Sequence, residues 1–334
     1  MGLRPVPPAI PLTDLRPTAG RTLTIFHGGT AAVEEVEYRG SAALFKRYQV
    51  NASAAALTKL IRWGRNLPIA DRATLRKIAA WPKARVYDGN RLVGLLVPLA
   101  PARFIADGTP RSLDMLADDE RVKLAAFGHL IAAVTWFHDH EVVVNDLAAP
   151  NILVTETGDG VHLVDCDSMV GKHWAPVLPK NAAPQDVRDV VGDVDNPTTT
   201  TDFARLAHTI ICSLFDAEVV DIDDRDPELV RMVGQETATF LCAARRKVLG
   251  DESGATWRLL GDRWLGGDDP GDLLLNESPL DDESRMPGLD GWMRDGGPHE
   301  VVHRPPVRWT RMASLAVTAT ALLLIGLLAG MSLR

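Results

Sequence analysis

The sequence has few of the features that mark several classes of protein. Only three of its 334 residues are cysteines, and Cys166, Cys212 and Cys242 are widely spaced. An odd number at that spacing indicates neither a disulfide framework nor a zinc site. Long runs of lysine or arginine are absent, and 36 basic against 44 acidic side chains give a net charge of −8. Because a phosphate backbone requires a concentrated basic face, we expect no nucleic-acid partner.

Aromatic residues are also scarce, at 6% of the chain. The first residues, MGLRPVPPAIPL, are interrupted by prolines and contain no continuous apolar stretch, so a signal peptide is not predicted. The balance of 46% hydrophobic and 24% charged residues is nevertheless ordinary for a folded chain. It excludes wholesale disorder and predicts a unit with a sizeable core.

One long uncharged run is present near the C-terminus. Residues 312–333, MASLAVTATALLLIGLLAGMSL, are 22 residues without a charge, enough at about 1.5 Å per residue to cross a hydrocarbon core of roughly 30 Å. A buried core helix is the alternative, but such helices usually have a polar face. Arg304, Arg308 and Arg311 precede the run, and only Arg334 follows it. The uncharged run therefore predicts a C-terminal single-pass membrane anchor, and the positive-inside rule predicts that the larger part of the chain is in the cytoplasm.

Two further segments have the composition of linkers. Residues 266–306 contain 13 glycines or prolines, ten acidic side chains and three basic ones, without sustained periodicity. This composition predicts an acidic linker over 266–311, in front of the membrane span. Residues 1–20 are a proline-rich lead-in, which leaves 21–265 as one globular unit.

Strand patterns dominate the first part of this unit, and helical patterns dominate the second. Alternation and turn residues predict strands over 22–26, 32–38, 41–48 and, twice, within 84–99. Residues 54–63 have a helical composition. Apolar periodicity predicts helices over 118–138, 203–215 and 227–247. We therefore expect an α+β fold, with a β-rich lobe over 21–102, a helical lobe over 103–265 and a cleft between them.

Three oxygen-bearing side chains lie in the stretch that follows the first long helix. Asn151 comes five residues after Asp146, and Asp165 comes after two short apolar runs, ILV and VHLV, that predict a β-hairpin. Carboxylate and amide oxygens suit Mg²⁺, which fills the rest of its shell with phosphate oxygens and water. Asp and Asn are also common turn formers, so the spacing alone leaves both interpretations open.

In this stretch the sequence resembles the protein-kinase superfamily. In the family pattern His-Arg-Asp-Leu-x-x-x-Asn, Asp146 falls on the catalytic base, Leu147 on the leucine and Asn151 on the metal-binding asparagine. Asp165, in VDCD, falls on the metal-binding aspartate of Asp-Phe-Gly. The resemblance implies a two-lobed kinase-like fold that binds ATP with Mg²⁺, in which Asn151 and Asp165 are the metal ligands.

Further matches occur in the order in which the family has them. Lys46, in ALFKRY, resembles the lysine that binds the nucleotide phosphates, and Gly28 and Gly29 lie where a glycine-rich loop would. A solvated strand lysine and a plain hairpin turn are the alternatives for these residues. Residues 183–185 resemble the Ala-Pro-Glu boundary, and Asp202 falls on the aspartate that opens a long buried helix. The VDCDSM segment and the run WPKARVYDGNRLVGLLVPLA resemble a subgroup of bacterial, often actinobacterial, kinase-like membrane proteins.

Several positions depart from the family pattern. Val144 and Asn145 replace the His-Arg pair, which removes the arginine that reads phosphorylation of the activation loop. Ala148 replaces the lysine that reaches the transferred phosphate. Each change removes a cation that the family uses, so both weaken the expectation of catalysis.

Two other departures concern acidic residues. Cys166 and Asp167 replace Phe-Gly, and Asp167 is open to interpretation as a second metal carboxylate or as a turn or capping residue. No acidic residue lies between Lys46 and Asp71, so the helix expected in that interval lacks the glutamate that pairs with the family's lysine.

Two hypotheses follow from the matches and the departures. The first is a membrane-anchored kinase-like enzyme that transfers the γ-phosphate of ATP to Ser or Thr hydroxyls of proteins. In it Asp146 and Lys46 are the catalytic residues, and Gly28, Gly29, Lys46, Asn151 and Asp165 bind the nucleotide and its metal. The alternative is a catalytically impaired pseudokinase that senses nucleotide or acts as a scaffold at the membrane.

Overall fold

The structure, a computed structural model, describes residues 8–18, 24–27, 31–116, 119–178, 197–217, 222–247, 249 and 253–266. In these ranges a β-sheet dominates up to residue 97 and helices dominate from residue 120, so the expected α+β class is confirmed. No helix in these ranges is long and apolar enough to cross a bilayer. The predicted span, 312–333, lies outside them, and so does all but the first residue of the predicted linker.

A β-sheet forms the first part of the chain. Its strands are β1 (Ala9–Pro11), β2 (Arg16–Pro17), β3 (Thr24–His27), β4 (Ala31–Tyr38), β5 (Ser41–Tyr48), β6 (Ala84–Asp88) and β7 (Arg91–Val97). They follow the order β1-β6-β7-β5-β4-β2, and β3 also pairs with β4. The β1–β6 pair is parallel and the other pairs are antiparallel. Strands β3 to β7 confirm the sequence predictions, whereas β1 and β2 were not predicted.

Alternation along β5 gives its two faces different roles. Ala43 and Phe45 belong to a small core shared with β4, β6 and β7. Lys46 and Tyr48 lie on the opposite face, because side chains two residues apart share a face of a strand. At Gly94 of β7 an added Cβ would run into the backbone carbonyl of Lys46, so this close approach requires glycine. Lys46 therefore lies on a strand that is paired on both sides, by β4 and by β7.

Two helices follow β5. They are α1 (Ala54–Asn66), which the sequence predicted, and α2 (Ile69–Ile78), which it did not. Ser53 caps the start of α1, since its side chain accepts a hydrogen bond of 3.2 Å from the backbone N–H of Ala56. Pro68 precedes α2. The apolar face of α1 enters the main core.

Aromatic rings connect α1 with the helical part of the chain. The ring centroid of Trp63 lies 4.8 Å from that of Trp81 and 5.8 Å from that of Trp174. Trp81 stacks on Phe137 with a centroid separation of 6.0 Å. These rings therefore bury large apolar surfaces against one another where α1 meets the later segments.

The second part of the chain is built from helices. Those described are α3 (Glu120–Asp139), α4 (Thr199–Leu214), α5 (Pro227–Val233), α6 (Gln235–Arg245) and α7 (Gly254–Trp264). Asp119 caps α3 by accepting hydrogen bonds from the backbone N–H groups of Arg121 and Val122. The single helix predicted over 227–247 is two helices, because Gly234 adopts a φ of 81° between them.

A short hairpin connects the helical part to the residues singled out in the sequence. It consists of β11 (Ile152–Val154) and β12 (Val161–Leu163), paired antiparallel with Ile152 opposite Leu163. The minor strand pairs of the described ranges are β8 (Ile105–Ala106) with β9 (Thr109–Pro110), and β10 (Val142–Val143) with β13 (Val170–Gly171). The hairpin confirms the sequence prediction, and it brings the residues before β11 close to those after β12.

Candidate functional site

The side chain of Lys46 is the cationic centre of the candidate site. It is 7% exposed on β5, and its Nζ pairs with two carboxylates that follow β12. One is Asp165, whose Oδ1 is in direct contact with Nζ, and the other is Asp167, whose Oδ1 lies 2.7 Å away. The interpretation of Lys46 as a solvated strand lysine is therefore wrong.

Asp167 is buried and has a partner for each carboxylate oxygen. It is 1% exposed, and its Oδ2 accepts a hydrogen bond of 2.9 Å from the hydroxyl of Tyr48. Burial, and then the charge and hydrogen bond of Asp167, raise the pKa of Tyr48 well above its usual value. Tyr48 therefore remains a neutral donor. The interpretation of Asp167 as a simple turn residue missed this role. The predicted strand already placed Lys46 and Tyr48 on one face, which was the signal that one acidic side chain could contact both.

These contacts identify the carboxylate that pairs with Lys46. Asp71, the first acidic residue after β5, lies on α2, where its Oδ2 is 3.6 Å from Nε2 of His140. The side chains opposite Lys46 instead come from the end of the hairpin, 119 and 121 residues further along the chain. The missing glutamate of α1 thus has a substitute from a different element.

Backbone hydrogen bonds hold Asp165 and Asn151 at the same end of the hairpin. Asn151 ends a 3₁₀ turn just before β11, and its carbonyl accepts a hydrogen bond of 2.9 Å from the N–H of Val164. Asp165 adopts a left-handed conformation, with φ 62° and ψ 35°. Aspartate tolerates this region better than most residues, and the conformation turns the chain sharply after β12. The two predicted metal ligands are thereby brought to the same end of the hairpin.

Asp146 lies next to this pair, in the loop between β10 and β11. Its side chain is hydrogen-bonded to that of Asn151. Burial raises the pKa of the Asp146 carboxyl, while the charges of Arg205 and Lys46 and the hydrogen bond from Asn151 act in the opposite direction. The predicted base thus lies within the electrostatic reach of Lys46 and of a second cation, Arg205, that the sequence analysis did not single out.

Asp202 anchors the loop that carries Asp146. It is completely buried near the start of α4, and its carboxylate accepts hydrogen bonds from the backbone N–H groups of Val144 (2.6 Å) and Asn145 (2.8 Å). A third contact, 2.9 Å long, joins it to Nε2 of His138 at the end of α3. Charge-assisted hydrogen bonds of this kind are stronger than neutral ones, so Asp202 holds the loop against two helices.

Asn145 connects the loop to the residues after β12. Its Nδ2 donates to the carbonyl of Ser168 over 3.1 Å, and its Oδ1 accepts from Arg205 over 3.1 Å. It has a φ of 68°, a region in which asparagine is several-fold enriched. The replacement of arginine at this position therefore supplies a structural link.

The thiol of Cys166 is enclosed by the same turn. It is 2% exposed, and burial in the first place, with the charge of Asp167 in addition, raises its pKa. Its Sγ donates to the carbonyl of Leu163 at 3.5 Å. Cys166 is therefore a neutral packing residue.

Other predicted positions lie outside the described residues. These are Gly28, Gly29 and residues 183–185. Within the described ranges, no three His, Cys, Asp or Glu side chains are grouped so that they could hold a metal ion. One amide and one carboxylate, Asn151 and Asp165, form a smaller set of hard oxygen donors, which fits Mg²⁺ when phosphate and water complete its shell.

Two comparisons with known proteins find no match for the chain. No model of a protein family matches the chain, and no curated protein sequence matches it significantly. The functional argument therefore rests on the residues of the site.

Proposed function

We propose that this chain is a membrane-anchored, protein kinase-like phosphotransferase that uses ATP with Mg²⁺ and acts on Ser or Thr hydroxyls of proteins. The observation that carries the proposal is the convergence of Lys46, Asp146, Asn151 and Asp165 from three separate segments of the chain. A lysine for phosphates, a base for a hydroxyl and two oxygen ligands for a metal are the parts that phosphoryl transfer requires.

Asp146 is assigned the role of the base. Burial raises its pKa, so its carboxylate accepts a proton more readily than an ordinary aspartate does. The hydrogen bond to Asn151 orients it, and the backbone bonds from Val144 and Asn145 to Asp202 hold its loop in place. Asp146 would take the proton of the attacking hydroxyl as its oxygen bonds to the γ-phosphorus and the bond from that phosphorus to the β-phosphate oxygen breaks, which releases ADP.

Lys46, Asn151 and Asp165 are assigned to the nucleotide. Lys46 would hold the α- and β-phosphates with its ammonium group, and Asn151 and Asp165 would hold Mg²⁺ through their oxygens. When bound, Mg²⁺ neutralises charge on the phosphate oxygens. Because β5 and the hairpin are both fixed by backbone pairing, these side chains are held on rigid elements before nucleotide arrives.

Arg205 supports the enzymatic assignment at a position where the family pattern is broken. Ala148 removes the lysine expected near the transferred phosphate, but the guanidinium of Arg205 interacts electrostatically with Asp146. The guanidinium donates a hydrogen bond to Oδ1 of Asn145, and it also interacts electrostatically with the carboxylate of Asp202. A cation is thus present beside the base, although it comes from α4 rather than from the loop.

One observation favours the alternative of a pseudokinase. Lys46 is bound to Asp165, the proposed metal ligand, and the two side chains must separate before one can hold phosphate and the other metal. A protein in which they never separate would bind nucleotide weakly or not at all and would act as a scaffold.

Phosphate incorporation distinguishes these functions. The full chain in mild detergent is incubated with labelled ATP, Mg²⁺ and a general protein substrate, beside Asp146→Asn and Asp165→Ala. Asp216→Asn is the control, since it removes an ion pair of 2.7 Å with Lys123 that shares no residue with the site. Incorporation that both site variants abolish and the control retains supports the enzyme. Incorporation that survives both site variants refutes the assigned roles, and nucleotide-dependent thermal stabilisation without incorporation supports the pseudokinase.

The membrane part of the proposal rests on the uncharged run over 312–333 and the arginines before it. Cells that express the full chain or a chain ending at residue 311 are fractionated without detergent. The full chain is expected in the membrane fraction and the shorter chain in the supernatant. Recovery of the full chain in the supernatant would contradict the anchor.

A further inference from the structure

We propose that Asp167 is the positioning residue for Lys46, and that Lys46 leaves Asp165 but keeps Asp167 when nucleotide binds. This inference rests on the proposed function. It assigns to Asp167, in the turn after β12, the task that protein kinases give to a glutamate of the helix after the lysine strand. The sequence has no acidic residue in that helix, and nothing in the family pattern points to Asp167.

The geometry first shows that Asp167 joins two rigid elements. Its two oxygens bind Lys46 at 2.7 Å and Tyr48 at 2.9 Å, which are alternate residues on one face of β5. Strand β5 is paired on both sides, and the residue after the turn, Met169, is itself tied back by its N–H to Cys166. The carboxylate therefore has little freedom, and it fixes the direction in which the Lys46 side chain points.

Exposure then separates the two carboxylates that share Lys46. The side chain of Asp167 is 2% exposed, whereas that of Asp165 is 36% exposed. A solvated metal with its phosphate ligands can approach Asp165 but not Asp167, whose oxygens are already taken. Asp165 is the exchangeable partner of Lys46, and Asp167 is the permanent one.

Charge explains why the exchange requires nucleotide and metal together. Two carboxylates share one ammonium group, so the cluster keeps one uncompensated negative charge. Phosphate alone would draw Lys46 away from Asp165 and leave that carboxylate unpaired, and a cation alone would compete with Lys46 for it. Binding of each ligand is therefore expected to strengthen the binding of the other, and by the same factor.

A double-mutant cycle tests whether Asp167 acts through Lys46. Labelled ATP is bound to the full chain by equilibrium dialysis, with and without Mg²⁺, for Asp167→Asn, Lys46→Met and the double variant. We expect Asp167→Asn to weaken binding of ATP with Mg²⁺ by about 10- to 100-fold, the effect typical of residues that orient a ligand. In the Lys46→Met background the same change is expected to weaken binding less than about twofold, because its effect passes through the lysine.

Three further variants separate positioning from general support of the fold. Tyr48→Phe removes one hydrogen bond and keeps the ring, so a smaller loss of affinity is expected even if Asp167→Asn folds poorly. Asp165→Asn should retain ATP binding but lose its enhancement by Mg²⁺. Asp216→Asn removes an ion pair of the same 2.7 Å length elsewhere and should leave binding unchanged.

The outcomes distinguish this inference from the proposed function. Equal losses from Asp167→Asn in both backgrounds, or affinity unchanged by that substitution, would overturn the positioning role. Binding that follows the expected pattern in a chain that transfers no phosphate would overturn the enzyme and leave the positioning role standing. Failure of the unaltered chain to bind ATP at all would overturn both.

Discussion

Mild acid is expected to destabilise the protein, and the buried side chain of His162 is expected to contribute a measurable part of the effect. His162 lies on β12, in the hairpin that holds Asn151 and Asp165, and it is 1% exposed. Its Nδ1 is 2.9 Å from the carbonyl of Lys77, and its Nε2 is buried with no hydrogen-bond partner among the described residues. Burial lowers the pKa of His162 from its usual 6.5 to about 4, so the imidazole is neutral in the folded protein.

The sign and the size of the effect follow from this pKa. In the unfolded chain His162 takes up a proton near pH 6.5, whereas in the folded protein it does so only near pH 4. The unfolded state therefore binds more protons between these values, and the free energy of unfolding falls as the pH is lowered from 6.5 towards 4. One pKa unit corresponds to about 1.4 kcal/mol, so the shift of His162 lowers the free energy of unfolding by about 3 kcal/mol.

Denaturant unfolding followed by tryptophan fluorescence measures this loss. The full chain, His162→Gln and, as a control, a Gln substitution of the exposed His173 are compared at several pH values between 7 and 4. The glutamine at 162 can still donate to the carbonyl of Lys77 but cannot be protonated, so its stability should fall by about 3 kcal/mol less than that of the unaltered chain. Parallel pH profiles for the chain and His162→Gln would refute the reasoning.

Three other substitutions or modifications test the support of the site. Asp202→Asn removes the negative charge of the carboxylate that accepts two backbone N–H bonds. It should lower the free energy of unfolding by about 2 to 4 kcal/mol in denaturant titrations and abolish phosphate incorporation. Cys166 should react with iodoacetamide at least about 100-fold more slowly in the folded than in the unfolded chain, as followed by mass spectrometry, because burial raises its pKa. Gly171→Ala would push a Cβ into the ring of Trp174 and should cost about 1 to 3 kcal/mol of stability. Gly254→Ala, where the nearest atom is 3.9 Å away, should cost nothing measurable, and equal effects of the two alanines would contradict the packing argument.

Features encoded by neighbouring residues could be predicted from the sequence. Alternation and turn residues specified β4 and β5, and apolar periodicity specified α3. The order of Asp146, Asn151 and Asp165 around two apolar runs specified the hairpin and the residues at its end. These signals are local, since a strand, a turn or a cap depends on residues a few positions apart.

Elements that depend on distant partners were missed. Strand β1 forms its parallel ladder with β6, more than 70 residues away, and proline-rich sequence around it masks the pattern. The apolar face of α2 is too short to predict a helix from the sequence, and it is recognisable only once its packing against the hairpin and the core is known. The break between α5 and α6 depends on the φ of 81° at Gly234. Glycine permits this conformation, but the presence of a glycine does not predict it.

The sequence by itself determined that Lys46, Asp146, Asn151 and Asp165 are present, and in what order. Only the tertiary structure decided what pairs with Lys46. Asp167 lies 121 residues from Lys46, and its approach depends on how the sheet packs on the hairpin end. A local pattern carries no information about such a contact, because both the attraction between buried charges and the cost of removing them from water depend on the surrounding tertiary structure.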